Sequence, residues 1–334
     1  MVIEPDGSVN PGSLDRLVNG LRAELRDESV PVVVLVHGFN TSVSAARRQY
    51  GLIAAELRAQ TKTPGSSVAV VGVHWASHPG PLYRWLPQIL GYRFLRELGF
   101  RRSITNPYKE TLQIARTSGR SGLRAILFRL ENEFKNAPLH VFSHSMGSEL
   151  IIRALAPESG LAAPASAAIE QPERRAQVGL VCLAGADLDH NVFAPGAEAS
   201  AQQVLPHASV WWFTVPRENT ADAVLELRRG AGSRDAIGNR GLSLTREDFN
   251  RLMERRALVV DDEFVPISHD INAYYGAQRV TRLAAAIRYL GAPSPPTPSH
   301  SLLATLDETL RAELATLAAR EAPDATSARL YRRW

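Results

Sequence analysis

The stretch LHVFSHSMGS, residues 139–148, decides the fold because a serine-rich turn joins an apolar strand pattern to a helical one. The turn reads Ser-x-Ser-x-Gly, and its central residue is Ser145. A turn this tight displays the side chain of its central residue and requires small residues two positions before and after it. Gly147 meets this requirement, whereas Ser143 occupies a position where glycine is usual. We therefore predict a nucleophile elbow, with Ser145 as the nucleophile.

Around this turn, short apolar runs alternate with longer helical patterns along most of the chain. Continuous apolar runs are typical of parallel strands that helices cover on both faces. We therefore predict an α/β fold with a mostly parallel central sheet and helices on both of its faces. The predicted strands are 32–36, 68–73, 139–142, 178–184, 210–215 and 258–260. The predicted helices are 14–25, 44–60, 123–134, 148–155, 223–229 and 273–290.

Two segments interrupt this alternation and set the predicted domain boundaries. Residues 78–117, rich in Pro, aromatic residues and Arg, are predicted to form a short helical insertion that acts as a lid. Residues 292–300 form a Pro-rich linker, which must be extended. We therefore expect the main domain over 1–291 and a C-terminal helical extension over 301–334.

A second strand also ends in a motif that carries chemistry, VLVHGFN at residues 34–40. Gly38 permits a turn at the strand end, and the backbone N–H of Phe39 is then available to bind an oxyanion together with that of Met146. His37 is predicted only to order this loop. The two motifs together predict an oxyanion hole for the tetrahedral intermediate of an acyl transfer.

The base that takes the proton from Ser145 is expected late in the chain, after the last strands. Of the nine histidines, only His269 and His300 lie beyond the fifth predicted strand. His300 follows the Pro-rich linker, which favours exposure. We therefore predict His269 as the general base. His144 is too close in sequence to swing onto Ser145 and is predicted to be a packing residue.

These motifs resemble those of the α/β-hydrolase superfamily, in its esterase- and lipase-like part. More narrowly, the sequence resembles a bacterial branch of unknown function that has an HGFN oxyanion segment and an HSMG elbow. The resemblance implies the α/β-hydrolase fold and spans residues 32–275, which is most of the chain. The matching pieces are 37–40, 73–77, 143–147, 183–189 and His269.

The resemblance also implies an acid that orients the histidine and follows the fifth predicted strand. Asp222 is favoured because it stands just before a predicted helix, although an Asp at such a place also serves as an N-cap. Glu218 lies nearer to the strand end and Asp187 follows the previous strand, so both remain alternatives. The predicted triad is therefore Ser145, His269 and Asp222.

The function predicted from these residues is a serine hydrolase that cleaves a small-molecule carboxylic ester. The reaction passes through an acyl-enzyme on Ser145, with His269 as general base. It requires neither a cofactor nor a metal, and none is predicted. Two other classes stay open, an acyltransferase on the same scaffold and a catalytically inactive, hydrolase-like protein that binds a partner.

The composition limits the remaining function classes. The chain has 334 residues, 45% of them hydrophobic, which is enough for a substantial core. Its single cysteine, Cys182, excludes an intramolecular disulfide and the cysteine-rich zinc modules. No glycine-rich phosphate-binding loop supports nucleotide binding. Because the N-terminus has no signal pattern and no apolar run approaches about 20 residues, we expect a soluble, cytoplasmic protein.

The net charge of +4 is unevenly distributed along the chain. Residues 78–129 hold ten Lys and Arg against two Glu, so the rest of the chain is net negative. Such a charge run is usually a solvated face, which is the favoured interpretation. The alternative is a weak contact with an anionic or lipid surface. Since the excess is confined to one segment, nucleic-acid binding is not predicted, and the oligomeric state is left open.

Overall fold

The computed structural model describes residues 1–25, 30–60, 68–77, 101–156, 176–197, 201–214, 236–237, 242–245, 247, 258–261, 271–290 and 328–330. Its strands are Val2–Ile3 (β1), Val32–Val36 (β2), Ala69–Trp75 (β3), Leu139–His144 (β4), Val178–Ala184 (β5), Ala208–Thr214 (β6), Leu242–Leu244 (β7), Leu258–Asp261 (β8) and Ala328–Leu330 (β9).

The central sheet has the strand order β1-β3-β2-β4-β5-β6-β8, and every neighbouring pair in it is parallel. β2 and β4 are buried along their whole lengths, as continuous apolar runs predict. The predicted α/β fold with a parallel sheet is therefore confirmed. β1 was not predicted, because two residues are too short to show a strand pattern. β7 and β9 form a separate antiparallel pair.

Helices cover both faces of this sheet. The α-helices are Pro11–Glu24 (α1), Val43–Gln60 (α2), Arg101–Ser118 (α3), Arg124–Glu133 (α4), Gly147–Leu155 (α5), Ala201–Val204 (α6), Ile271–Tyr274 (α7) and Ala277–Leu290 (α8). Buried residues of α1, α3, α4 and α5 share one apolar cluster with the sheet. Those of α2, α7 and α8 share the cluster on its other face. None of the described helices is long and apolar enough to cross a membrane.

The first helix begins three residues before its predicted start at residue 14. The side chain of Asn10 accepts a hydrogen bond from the N–H of Ser13 at 3.0 Å, and Pro11 occupies the first helical position. Asn as N-cap followed by Pro is a strong start signal, because the cap satisfies a free N–H and Pro supplies none. This signal, rather than the apolar periodicity, sets the start of α1.

The C-terminal half of α3 lies in the core, although the sequence placed it within the predicted lid insertion. Its buried side chains recur at helical spacing: Tyr108, Thr111, Leu112, Ala115 and Ser118. A single π-helical turn, Gly119–Leu123, then leads into α4. A Cβ on Gly119 would lie 2.5 Å from the carbonyl oxygen of Leu150, so this turn packs directly on the backbone of α5. The last turns of the predicted insertion thus support the helix that follows Ser145.

Two features near the C-terminus differ from the predicted helices. The helix predicted over 273–290 is divided into α7 and α8, and Gly276 lies at the break, where its carbonyl accepts the first hydrogen bonds of α8. Of the predicted helical extension over 301–334, only residues 328–330 are described, and they form β9. Their backbone groups are satisfied by pairing with β7, which a sequence pattern of three residues does not reveal.

Candidate active site

The turn between β4 and α5 holds its central serine in a strained conformation. Ser145 has a φ of +53°, in the left-handed region that residues with a side chain rarely adopt. Its N–H donates to the carbonyl of Ala184 at 2.9 Å. Its own carbonyl accepts from the N–H groups of Asp187 and Ser148 at 3.2 and 3.0 Å. These bonds stabilise a backbone conformation that costs on the order of 1–3 kcal/mol.

The Ser145 hydroxyl is buried, and no described residue forms a hydrogen bond with it. The hydroxyl of Ser143, two residues earlier, instead lies 2.9 Å from that of Ser148. A buried hydroxyl without a partner costs roughly 1–3 kcal/mol, so its presence calls for a reason beyond packing. A group that reacts with a ligand supplies such a reason.

The residues on either side of Ser145 show why the turn needs small side chains. A Cβ on Gly147 would lie 2.5 Å from the carbonyl oxygen of His37, because the start of α5 packs on the end of β2. On the other side, Ser143 stands where glycine is usual. Its hydroxyl is accommodated by the contact with Ser148, so the departure from glycine leaves no unpaired polar atom at Ser143.

The loop after β2 lies against this turn. A Cβ on Gly38 would be 2.9 Å from the Cβ of Ser145, a contact that only glycine allows. The backbone N–H groups of Phe39 and Met146 flank the serine and donate to no acceptor within the described residues. Free N–H groups beside a buried hydroxyl are what an oxyanion hole requires.

His37 fixes the start of this loop through both of its ring nitrogens. Nδ1 donates to the carbonyl of Gly38 at 2.9 Å, and Nε2 lies 2.8 Å from Nδ1 of His74. Complete burial lowers the pKa of His37 to about 3, so its ring is neutral at physiological pH. The ring stacks on Trp75, whose indole N–H donates to the carbonyl of His37 at 2.8 Å. His37 therefore orders the loop, as the sequence predicts.

The far side of the loop is tied to the end of β3. Asn40 adopts a φ of +56°, a left-handed conformation that Asn tolerates better than most residues. Its N–H donates to the carbonyl of Ser77 at 2.9 Å, and the N–H of Thr41 donates to Ser77 Oγ at 3.1 Å. The hydroxyl of Ser77 in turn donates to the carbonyl of Thr41 at 3.2 Å. The loop is thus held at both ends.

Tyr108 of α3 contacts the same region and was not singled out in the sequence. Its hydroxyl donates to the carboxylate of Asp187 at 2.5 Å, and both side chains are buried. Its ring packs against that of Phe39 with a centroid distance of 5.8 Å. The spacing of Tyr108, Leu112 and Ala115, at i, i+4 and i+7, is the signal that identifies this buried helix face.

Of the three acid candidates, only Asp187 is described, whereas Asp222 and Glu218 lie outside the described residues. The predicted base, His269, also lies outside them. The chain just after His269 is nevertheless anchored beside the serine turn. The ring of Tyr274 packs against that of His144 with a centroid distance of 5.0 Å, and Tyr275 donates to the carbonyl of Ser143 at 2.7 Å. Within the described residues, no cluster of three or more His, Cys, Asp or Glu is arranged to bind a metal.

A buried charge cluster stabilises the first turn of α5. The carboxylate of Glu149 accepts from Arg116 of α3 at 2.7 Å and from Arg153, one turn later, at 2.9 and 3.0 Å. Arg124 donates to the carbonyls of Ala154 and Arg153 at 3.1 and 3.0 Å, which caps the C-terminal end of the same helix. Both ends of α5, and with them the turn at Ser145, are therefore fixed by charged side chains of α3–α5.

One family model matches the chain, described as "Alpha/beta hydrolase of unknown function (DUF900)", over residues 17–223. No curated protein matches. Among solved structures, the chain is similar to a Trichoderma reesei cutinase in complex with a C11Y4 phosphonate inhibitor. That match has 12% identity and a TM-score of 0.33, and it covers 84% of this chain and 90% of the cutinase.

Two further solved structures match with similar TM-scores and sequence identities. The esterase Est2 of Thermogutta terrifontis, with propionate bound, is 12% identical over 76% of this chain and 81% of the esterase, with a TM-score of 0.34. An uncharacterised protein from Pseudomonas aeruginosa is 10% identical over 92% of this chain and 53% of its own, with a TM-score of 0.31. At these TM-scores, the three likenesses give no information about substrate or mechanism.

Proposed function

Because the chain belongs to this family of α/β-hydrolases of unknown function, we propose that it is a serine hydrolase that cleaves a small-molecule carboxylic ester. The observation that carries the proposal is Ser145. It combines a left-handed φ of +53° with a buried hydroxyl that no described residue engages. A structural serine near a tight turn engages its hydroxyl in a hydrogen bond, as the hydroxyls of Ser143 and Ser148 do with each other.

In the proposed reaction, Ser145 Oγ attacks the acyl carbon while its proton passes to His269. The electron pair of the carbonyl bond moves onto oxygen, and the N–H groups of Phe39 and Met146 stabilise that oxyanion. When the intermediate collapses, His269 returns the proton to the departing alcohol and the acyl group remains on Ser145. Water then attacks the acyl-enzyme while His269 takes its proton. When this second intermediate collapses, the proton passes to Ser145 Oγ and the carboxylic acid is released.

The position of His269 as the base is supported by the chain that follows it. His269 lies two residues before Ile271 and six before Tyr275, whose hydroxyl donates to the carbonyl of Ser143. Since an extended chain advances at most about 3.6 Å per residue, His269 lies within about 22 Å of Tyr275 along the chain. This limit supports the proposal that His269 reaches the carboxyl edge of the sheet, where Ser145 lies.

The acid is proposed to be Asp222, with Glu218 and Asp187 as alternatives. Asp222 and Glu218 both follow β6, whose last residue, Thr214, accepts a hydrogen bond from the N–H of Gly185 at 3.0 Å. The carboxyl end of β6 is therefore next to the loop that follows β5. The chain that continues from β6 therefore starts on the same edge of the sheet as Ser145, which supports an acid from the residues that follow β6.

The test is covalent labelling of the full chain with a fluorophosphonate, followed by peptide mapping, together with hydrolysis of p-nitrophenyl esters of graded acyl length. We expect labelling at Ser145 and loss of both signals in Ser145→Ala. Ser143→Ala is the matched control, because it removes a buried hydroxyl from the same turn and retains the nucleophile. Absence of labelling in folded wild-type protein contradicts the proposal and favours a binding protein on a hydrolase-like scaffold. Acyl transfer to an added alcohol at the expense of hydrolysis favours the acyltransferase.

A further inference from the structure

We infer that His74 is a positioning residue for the oxyanion site, acting through His37 on the peptide that joins Gly38 to Phe39. The inference rests on the proposed function, because it concerns the N–H of Phe39 as an oxyanion donor. It assigns a role to a histidine of β3 that the sequence motifs leave without one.

The orientation of the Phe39 N–H is set by what binds the other side of the same peptide. The carbonyl of Gly38 accepts hydrogen bonds from His37 Nδ1 at 2.9 Å and from Thr41 Oγ1 at 3.2 Å. In a trans peptide the C=O and N–H bonds point in opposite directions within one plane, and the described chain has no cis peptide. Two donors on the Gly38 carbonyl therefore fix the direction in which the Phe39 N–H points.

The same two bonds make that N–H a better donor. A hydrogen bond to a carbonyl polarises its amide, which strengthens the bond formed by the N–H of the same unit. This matters most when full negative charge develops on the substrate oxygen. The donors on Gly38 thus act on the transition state and much less on the neutral substrate.

The role of His74 follows from the tautomer of His37. Since Nδ1 of His37 donates to Gly38, Nε2 of the neutral ring is an acceptor. That acceptor lies 2.8 Å from Nδ1 of His74, which is therefore the donor, and 3.3 Å from the N–H of Trp75. Burial lowers the pKa of His37 to about 3, so the ring has one proton and it must sit on Nδ1 for Gly38 to be bound. His74 is half-buried, and its Nδ1–H favours this tautomer of His37 over the alternative.

The first experiment compares His74→Phe with His74→Asn. Phe keeps a ring next to His37, where the ring centroids are now 4.7 Å apart, but it has no donor. Asn places an N–H close to the position of Nδ1. We expect His74→Phe to lower kcat about tenfold with KM changed less than about twofold, less than the 10²–10³-fold loss on removing an oxyanion donor outright. His74→Asn is expected to recover most of kcat. His207→Asn, at the opposite, amino end of the sheet, is the matched control.

Each outcome decides for or against the inference. Unchanged kcat in His74→Phe overturns it, and so does an equal loss in the Phe and Asn variants. If His74→Phe does not fold, Thr41→Val tests the same carbonyl from its second donor and is expected to lower kcat several-fold. Nitrogen-15 NMR of the wild-type protein gives an independent reading, because protonated Nε2 on His37 contradicts the inference whatever the variants show. Failure of the proposed function is distinguished by absence of wild-type labelling at Ser145.

Discussion

The hydroxyl of Tyr108 donates to the carboxylate of Asp187 at 2.5 Å, while the backbone N–H of Asp187 donates to the carbonyl of Ser145 at 3.2 Å. One helix residue is thereby connected to the turn that displays the serine. The ring of Tyr108 also packs on Phe39. Tyr108 therefore contacts both the loop after β2 and the loop after β5, which lie against the Ser145 turn. Helix α3 is therefore part of the structure that supports the site.

The first prediction concerns the hydrogen bond between Tyr108 and Asp187. Tyr108→Phe leaves the buried carboxylate of Asp187 without its hydroxyl donor, and we expect a loss of about 1–3 kcal/mol in the free energy of unfolding. Urea denaturation of Tyr108→Phe, Asp187→Asn and the double variant measures the coupling. We expect the double variant to be less destabilised than the sum of the single ones, because the two side chains bind each other. Additive losses contradict the pairing.

The second prediction tests which residue is the acid of the proposed triad. Asp222→Asn is expected to lower kcat by around 10⁴-fold, since an amide no longer orients His269 or stabilises its imidazolium. Glu218→Gln and Asp187→Asn are the matched variants, and we expect each to retain kcat within about tenfold. Steady-state hydrolysis of one activated ester by the three proteins provides the comparison. If Asp187→Asn or Glu218→Gln shows the large loss instead, that residue is the acid.

The third prediction compares a glycine in close contact with backbone, Gly147, with a glycine on an exposed helix face, Gly51. A Cβ on Gly147 would lie 2.5 Å from the carbonyl oxygen of His37, whereas a Cβ on Gly51, on an exposed face of α2, would meet nothing within 4 Å. Gly147→Ala is expected to destabilise the protein by about 1–3 kcal/mol through overpacking. Gly51→Ala is expected to stabilise it by about 0.5–1 kcal/mol, because Ala has the higher helix propensity. Thermal and urea unfolding measure both; equal effects contradict the argument.

The fourth prediction concerns His140, a fully buried histidine of β4 whose two ring nitrogens lack partners among the described residues. Burial lowers its pKa from 6.5 to about 3. Between these two values the unfolded chain binds a proton that the folded chain does not, so stability falls as the pH falls through this range. The slope is about 1.4 kcal/mol per pH unit for each such group.

Replacing His140 with Leu is therefore expected to have two effects. At pH 7 the variant is as stable as the wild type or up to about 1 kcal/mol more stable, because an unpaired buried polar group has been removed. Between pH 6 and pH 4 it loses less stability than the wild type. Urea denaturation at several pH values measures both, with His190→Asn as the half-buried control. A variant whose stability falls as steeply as that of the wild type contradicts the assignment.

The local sequence was sufficient for six of the seven strands of the central sheet, most of the described helices and the turn around Ser145. In each case the deciding signal lies within about ten consecutive residues: an apolar run, a helical period, or a glycine two positions after a serine. The helix start at Asn10 and Pro11 also has a local signal, which periodicity alone overlooks. The short strands β1, β7 and β9 have no such signal, because two or three residues define no period.

The residues that support the site were decided only by the tertiary structure. Tyr108 and Asp187 are 79 residues apart in sequence, and His37 and His74 are 37 apart, yet each pair is joined by a hydrogen bond. The sequence determined that this chain forms an α/β-hydrolase with a serine at a strand-to-helix turn. It did not determine which polar side chains meet around that serine. Strand order and the packing of α3 on the sheet bring those side chains together, and no local pattern specifies contacts between distant segments.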